Sequence, residues 1–510
     1  MSLRRTAPVR WAKVIDQTRC IGCHACSTAC KSENQVPLGV HRTYVKYVDV
    51  GRFPEARRAF QVTRCNQCAE PPCVFACPTA AMHQRPDGIV DFDKSVCIGC
   101  KACIAACPYD AIFINPEDHS AEKCNFCAQR LDVGLEPACV IVCPTEAIVV
   151  GDLNDGTSRV SEIVGRDSVA VRRPEKATKP RLFYKGAHQA TLDPIAARRP
   201  PGGLFLWSEQ PSGRQQVVSG HPGAPNNAAA AMLAYDVAHR APWDYRVSLY
   251  TWTKGIAAGA YLLPALLLLA GSVEASGALW RSAAPTLAAA FLAATVGLLI
   301  FDLTHPARFY LVLTRPQWRS WLARGGVILS LYGAVLVAHV LASLGGRDEW
   351  SRALVWIGMP LAVLSAVYTA WLFAQAKARD LWQSPLLAPQ LLVQAGASGA
   401  AALLPIAAAI EPGAVRPLAT FAEAATALHL LLILGEITIG HATAHARLAA
   451  REMTSGRYRW FFRSGVGLQA AGVLAVLGGA PPALVTLAIL AGLLAYEHAF
   501  VQAGQSVPLA

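Results

Sequence analysis

Every cysteine of this 510-residue chain lies between positions 20 and 143, and they fall into four groups of four. Cys20, Cys23, Cys26 and Cys30 form the first group, and Cys65, Cys68, Cys73 and Cys77 the second. Cys97, Cys100, Cys103 and Cys107 form the third, and Cys124, Cys127, Cys139 and Cys143 the fourth. A tetranuclear iron–sulfur cluster takes four thiolates, so sixteen cysteines match four 4Fe-4S clusters with none left over. Zinc also uses paired C-x-x-C units, but its sites are usually two separated pairs, whereas C-x-x-C-x-x-C-x-x-x-C crowds four thiolates onto one short loop. A disulfide framework belongs to short secreted chains and does not suit this one.

The composition divides the chain. Residues 246–505 are a series of apolar stretches rich in Ala, Leu, Val and Gly, several of them long enough to span a bilayer. Eight spans are predicted, at about 250–270, 283–303, 322–344, 353–375, 386–410, 418–440, 462–480 and 482–502. The last two flank a tight turn at Gly478-Gly479-Ala480-Pro481-Pro482. The net charge of +12 then reads as basic loops on one face of a membrane, and no nucleic-acid partner is expected. Loops and flanks on the N-terminal side carry Arg246, Arg308, Arg315, Arg319, Arg324, Lys377, Arg379, Arg447, Arg451, Arg457, Arg459 and Arg463. The opposite loops carry Arg281, Arg347, Arg352 and Arg416. By the positive-inside rule the cysteine domain is expected on the cytoplasmic side, the alternative being that the basic loops dock the soluble domain or its partner. The start, with Arg4 and Arg5 but no apolar run behind them, leads to no expectation of a cleavable signal.

An internal repeat organises the cysteine half. Cys77-Pro-Thr-Ala-Ala-Met, Cys107-Pro-Tyr-Asp-Ala-Ile and Cys143-Pro-Thr-Glu-Ala-Ile share C-P-x-x-A-[MI], each before a β-prone segment. This is the bacterial ferredoxin pattern, in which the fourth cysteine of a run ligates the other cluster of a pair. It predicts that Cys20, Cys23 and Cys26 share a cluster with Cys143, and Cys124, Cys127 and Cys139 with Cys30. Cys65, Cys68 and Cys73 then take Cys107, while Cys97, Cys100 and Cys103 take Cys77. The first group departs from the repeat, since Lys31 follows Cys30. Cys20-Ile-Gly-Cys23-His24 also matches the c-type haem signature, but a haem there would orphan Cys26 and Cys30, so no haem is expected.

The stretch 171–186 (VRRPEKATKPRLFYKG) reads as an extended basic arm over a partner or as a solvated linker. GHPGAPNNAAAAML reads as a seam between two fused units. In the membrane half, ionisable groups near bilayer depth are costly and mark candidate sites. Asp302, His305 and Arg308 end the second span, where Pro306 breaks the helix. His429 and Glu436, with His441 beyond, lie roughly on one face of the sixth span, and Lys254 enters the first. A quinone head group needs hydrogen-bond donors and a proton source or sink, so Lys254, Asp302, His305, Arg308, His429 and Glu436 are the candidate quinone residues. The bland alternative is that Asp302 and Arg308 pair to hold two helices.

With these motifs, residues 11–190 resemble the four-cluster iron–sulfur subunits of the DMSO reductase superfamily, on CIGCHACSTACKSEN, CNQCAEPPCVFACPT, CIGCKACIAACPYDAI and CVIVCPTEAI. Residues 235–510 resemble the NrfD/polysulfide reductase and DMSO reductase type of membrane anchor, on YTWTKGIAAGAY, FDLTHPARF and YEHAFVQAGQSVPLA. The resemblance implies an α+β tandem ferredoxin-like domain (1–190), a linker (191–245) and an all-α bundle of about eight transmembrane helices (246–510). It implies a molybdopterin (molybdenum or tungsten) catalytic subunit as partner, and menaquinone or ubiquinone bound where anchor and iron–sulfur subunit meet, on the side of His305. The expected place is a bacterial inner membrane. The rival expectation is an energy-coupling quinone module like that of alternative complex III, for which Glu274, Glu411 and Glu423 are available, although Glu274 and Glu411 read as far-side loop residues.

Overall fold

The computed structural model describes residues 8–51, 54, 56–198 and 231–510. Arg4, Arg5 and most of the seam, residues 220–230, lie outside the described residues. The chain forms two compact units, the first built from residues up to Pro242 with Ala376–Ala378 and Pro508–Ala510, the second from Trp243–Gln375 and Arg379–Val507.

The first unit is α+β. Its strands are β1 (Trp11–Asp16), β2 (Thr43–Val50), β3 (Arg57–Arg64), β4 (Met82–Gln84), β5 (Val90–Phe92), β6 (Ile112–Ile114), β7 (Ala121–Lys123), β8 (Ile148–Asp152), β9 (Val169–Ala170), β10 (Leu182–Lys185) and β11 (Met232–Tyr235). Short helices carry the cysteines: α1 (Ala25–Asn34), α2 (Pro72–Ala76), α3 (Ala102–Ala106), α4 (Ala128–Leu131) and α5 (Ala138–Ile141). Two more follow, α6 (Arg159–Arg166) and α7 (Gln189–Leu192). Each C-P-x-x-A-[MI] copy leads into a strand: β4 pairs with β5, β6 with β7, and β8 with β1, all antiparallel. Helix α1 packs on α5, and α2 on α3, so the middle ferredoxin-like half is inserted within the outer one.

Two expectations change here. The basic stretch 171–186 is no arm: β10 lies between β1 and β9 in the four-stranded sheet β8-β1-β10-β9, and it pairs parallel with β1. Leu182 and Tyr184 turn into the core, and Arg172, Arg173 and Thr178 are buried. The alternation Leu-Phe-Tyr-Lys is a half-buried strand that the flanking charges disguise. The segment read as a linker over 191–245 also contributes to the first unit. Its strand β11 extends the β2–β3 hairpin antiparallel to β2, and His239 is held between Asp110 (2.5 Å) and Asp236 (3.1 Å).

The second unit is helical. Among the described residues eight helices are long and apolar enough to cross a membrane, by length and composition. They are α8 (Tyr245–Leu269), α9 (Ala284–Asp302, preceded by a π-turn from Leu279), α11 (Trp321–Leu344), α13 (Val355–Gln375), α14 (Leu387–Ile410), α15 (Val415–Thr438), α17 (Arg459–Leu477) and α18 (Pro482–Gln505), with short α10 (Leu311–Thr314), α12 (Asp348–Ala353) and α16 (Ala444–Thr454) between. All eight predicted spans are present within a few residues of their expected ends.

Without a hydrophobic drive inside lipid, helices associate by close packing of small residues. Helices α8 and α14 cross at Gly259 and Gly399, where a Cβ on Gly259 would fall onto the Ala395 carbonyl and one on Gly399 onto the Gly259 backbone. Helices α17 and α18 do the same at Gly465 and Gly492. Two of the basic residues counted for sidedness also cap helices. Arg246 donates to the Phe301 carbonyl at the end of α9 (2.7 Å), and Arg379 to that of Gln505 at the end of α18 (3.0 Å), where the helix dipole favours a cation.

Two outcomes test this packing. Gly259→Ala will lower the stability of the detergent-solubilised chain by about 1–3 kcal/mol. Gly297→Ala, where nothing lies within 4 Å of the added carbon, will be neutral or stabilising. In the first unit, burial alone would lower the pKa of His239, but Asp236 and Asp110 raise it to about 10. An unfolded His titrates near 6.5, so this contribution to stability is fully present below about pH 6.5 and is lost as pH rises through about 10. Thermal unfolding will therefore show a larger deficit for His239→Gln at pH 6 than at pH 10.5.

Candidate electron relay and buried polar groups of the membrane domain

The cysteine loops share one backbone device. The third residue of the first C-x-x-C turn in each group is left-handed: Gly22 (φ 72°), Gln67 (φ 46°), Gly99 (φ 70°) and Phe126 (φ 67°). Glycine adopts this conformation freely, and the other two sites accept about 1–2 kcal/mol of strain to aim two sulfurs at one point. At Gly22 a side chain would also strike the Phe60 ring. The spacing shared by the repeats has a second physical sense: its backbone N–H groups reach the fourth sulfur. Met82 N–H donates to Cys77 Sγ (3.4 Å), and Ala147 N–H to Cys143 Sγ (3.2 Å). Cys30 escapes the repeat because α1 continues to Asn34, where a proline would break it. Lys31 instead ties the next turn by donating to the Pro37 (2.9 Å) and Val40 (2.6 Å) carbonyls.

None of the sixteen cysteines is in a disulfide; eleven are buried and one, Cys23, is exposed. Their electrostatic neighbours follow the interleaved order. Cys20 feels Cys143 and Cys23, and Cys30 feels Cys124, Cys139 and Cys127. Cys73 feels Cys65, Cys107 and Cys68, while Cys103 feels Cys100, Cys97 and Cys77. Contacts between sets make a row: Cys26 with Cys139, Cys65 with Cys124, Cys103 with Cys73. Among the described residues no three His, Cys, Asp or Glu side chains close on a single metal-ion position. Cys77, Cys97, Cys100 and Cys103 instead line a common cavity with Ala81 and Met82, as a multi-iron group with one iron per thiolate requires.

Burial pushes these thiols up, to about 11 at Cys26 and about 12 at Cys30, Cys68 and Cys107. A metal removes that obstacle, since a coordinating thiol is deprotonated outright. Cys139 differs: burial would raise it, but Arg64 and Lys13 overcome this and hold it near 7. Arg64 is 2 % exposed, and its Nη1 donates to Cys139 Sγ at 3.0 Å. Its Nε and Nη2 are buried with no hydrogen-bond partner, which fits an anionic group at that spot. His24, of the haem-like signature, has its Nε2 2.7 Å from the Tyr47 hydroxyl.

The membrane unit scatters the predicted quinone residues. Asp302 is buried at the end of α9, and His305 and Arg308 are half-buried around the turn Pro306–Arg308. Lys254 is buried, donating to the Ala366 carbonyl (2.8 Å) and Thr369 Oγ1 (2.6 Å). His429 and Glu436 share the buried face of α15, but His441 lies past its end. His429 is clamped between Gln394 (2.9 Å) and Gln469 (2.6 Å), so both ring nitrogens are engaged. Glu436 accepts from Tyr496 (3.2 Å), whose hydroxyl also meets Gln390 (2.6 Å). Glu274 is exposed, and Glu411 accepts from the Leu279 N–H (2.8 Å), so both are loop residues as expected.

Sequence reading missed Glu497. It accepts from Thr251 (3.0 Å) and shares a water-sized cavity with Lys254, Gln394 and Ser398. The signal was present, a carboxylate in the middle of an apolar helix. It also missed His339 of α11, fully buried with its Nδ1 3.3 Å from the Tyr261 hydroxyl.

Comparison with known proteins agrees with both halves. A family described as 4Fe-4S dicluster domain matches residues 57–153, and one described as polysulphide reductase, NrfD, matches residues 235–508, more than half of the chain. A tetrathionate reductase subunit of Salmonella typhimurium is 44 % identical over 204 residues, covering 39 % of this chain and 80 % of that protein. A polysulfide reductase subunit of Wolinella succinogenes is 41 % identical over 177 residues (34 % and 93 %). The arsenate respiratory reductase iron–sulfur subunit of a Shewanella species is 36 % identical over 224 residues (34 % and 96 %). The chain thus belongs to the polysulphide reductase NrfD family of multi-pass membrane proteins, its anchor following a 4Fe-4S iron–sulfur subunit in one polypeptide.

Proposed function

We propose that this chain is the electron-transfer and membrane-anchor subunit of a quinone-linked molybdopterin oxidoreductase. The observation that carries the reading is the row of four interleaved thiol sets. Each set would hold one 4Fe-4S cluster, and such clusters pass single electrons without bond changes in the protein. The catalytic partner is proposed from the names of the relatives, which are subunits of tetrathionate, polysulfide and arsenate reductases. Menaquinone or ubiquinone is the proposed membrane substrate. Its reduction takes two electrons and two protons, and oxidation releases them. Carboxylates and histidine placed in or near the membrane, Glu436 and His305 first among them, supply the proton exchange. The surplus of basic loops on the side where the first span begins supports a cytoplasmic iron–sulfur domain in a bacterial inner membrane.

Energy coupling is the second reading, and one observation favours it. Thr251, Lys254 and Tyr261 lie on one face of α8, and their partners Glu497 and His339 place buried titratable groups in both halves of the bundle. Tyr332 bonds the Ala257 carbonyl between them (2.8 Å).

The chain purified with whatever binds it will contain about sixteen irons and as many sulfides, with one molybdenum or tungsten per complex. Cys100→Ser will perturb or remove one cluster, at most about four irons. Far fewer irons in the native protein, with zinc present, would refute the relay. Sixteen irons alongside c-type haems and neither metal would favour energy coupling. Glu436→Gln will keep the iron and lower the quinol-linked rate by about 10²-fold, while Glu274→Gln leaves it unchanged.

A further inference from the structure

Two buried cations converge on a single sulfur of the relay, whereas Cys65 and Cys73 of the third set face Lys123. Arg64, last residue of β3, reaches from the residue beside Cys65 to Cys139 Sγ at 3.0 Å. Lys13 of β1 reaches the same sulfur at 3.8 Å, and it is 1 % exposed. Both cations are sealed from water, so solvent screens neither. Asn34 adds its amide, 3.7 Å from Cys30 Sγ and 3.8 Å from Cys127 Sγ. These four sulfurs, Cys30, Cys124, Cys127 and Cys139, are one set, second in the row.

We infer that Arg64 and Lys13 are potential-setting residues, and that they make the cluster on Cys30, Cys124, Cys127 and Cys139 the first of the four to be reduced. The inference rests on the four-cluster reading above. Reduction adds one electron and no bond is made or broken. It deepens the negative charge of a group that already carries four thiolates. A guanidinium and an ammonium held against one of those sulfurs favour the more negative state, and cluster potentials rise with such charge and hydrogen bonding. An electron entering from either end of the row then rests at this position before leaving. Arg64 does so as a neighbour of two sets, since the next residue is Cys65 of the third.

The test is a redox titration of the full chain, purified with its partner, using dithionite as reductant and low-temperature electron paramagnetic resonance as readout. Cys139→Ser identifies the signal that belongs to this set, and in the native protein that signal appears first. Arg64→Gln and Lys13→Met each lower its midpoint by at least tenfold in the reduction equilibrium, about 59 mV for one electron, and by more than they move any of the other three. Arg64→Lys restores most of the shift. The inference is overturned if all four midpoints stay put in iron-replete variants, or if the signal that moves most is one that Cys139→Ser leaves alone. It is also overturned if another cluster reduces first in the native chain. Should Arg64→Gln fail to assemble, Lys13→Met decides by the same criteria. A native iron content well below sixteen would sink the four-cluster reading itself, whereas full iron with unmoved midpoints sinks only this assignment.

Discussion

A sulfur that must be negative, removed from water, has to be met by positive charge, and the first unit is arranged around that demand. Burial alone drives its thiols toward neutrality, to about 12 at Cys30, Cys68 and Cys107. Backbone N–H groups aimed at Cys77 and Cys143, and the sealed cations Arg64 and Lys13 at Cys139, are the protein's share of the answer. Iron supplies the rest. The left-handed third residue in the first C-x-x-C turn of each group and the short helices behind it hold that geometry. The sheets have the further task of keeping Arg64 and Lys13 dry, because a buried guanidinium without an anion would cost several kcal/mol.

The membrane unit solves the same problem with different material. No water is available in the bilayer core, so each polar side chain there must find a partner. His429 finds two glutamines, Glu436 a tyrosine, and Lys254 a carbonyl and a threonine hydroxyl. Glutamine is a suitable partner for this purpose, since it offers both donor and acceptor without a charge of its own. The glycine crossings at Gly259–Gly399 and Gly465–Gly492 hold α8 against α14 and α17 against α18, while these polar pairs tie α15 to α14, α17 and α18, and α8 to α13.

Local pattern made most of this architecture readable. Apolar length identified all eight spans, and the repeat at Cys77, Cys107 and Cys143 foretold the strands behind it. Charge misled where it was buried. The run around Arg172, Arg173 and Arg181 looked like a solvated arm, yet its strand is interior, because the balancing thiols and aromatic rings come from distant parts of the chain. Strand β11 was hidden for a related reason: its four residues become a strand only by pairing with β2. In the membrane Lys254, Asp302, His429 and Glu436 were found by residue type, whereas Glu497 and His339 were missed. Which of them are clamped, as His429 is, and which have room beside them, as Lys254 and Glu497 do, depends on glutamines that carry no signal of their own in an apolar helix.

The nesting of the thiol sets also orders the birth of the protein. In the proposed pairing the two middle sets are complete once residue 107 has left the ribosome, since they draw on cysteines from 65 to 107 alone. The outer sets wait for Cys139 and Cys143, more than a hundred residues after Cys20. The inner half can therefore close first, while Cys20, Cys23 and Cys26 remain an open three-point cradle exposed to stray metals and oxidants. In the same pairing the last ligand, Cys143, precedes the first membrane helix at Tyr245, so the whole ligand set is synthesised before the anchor.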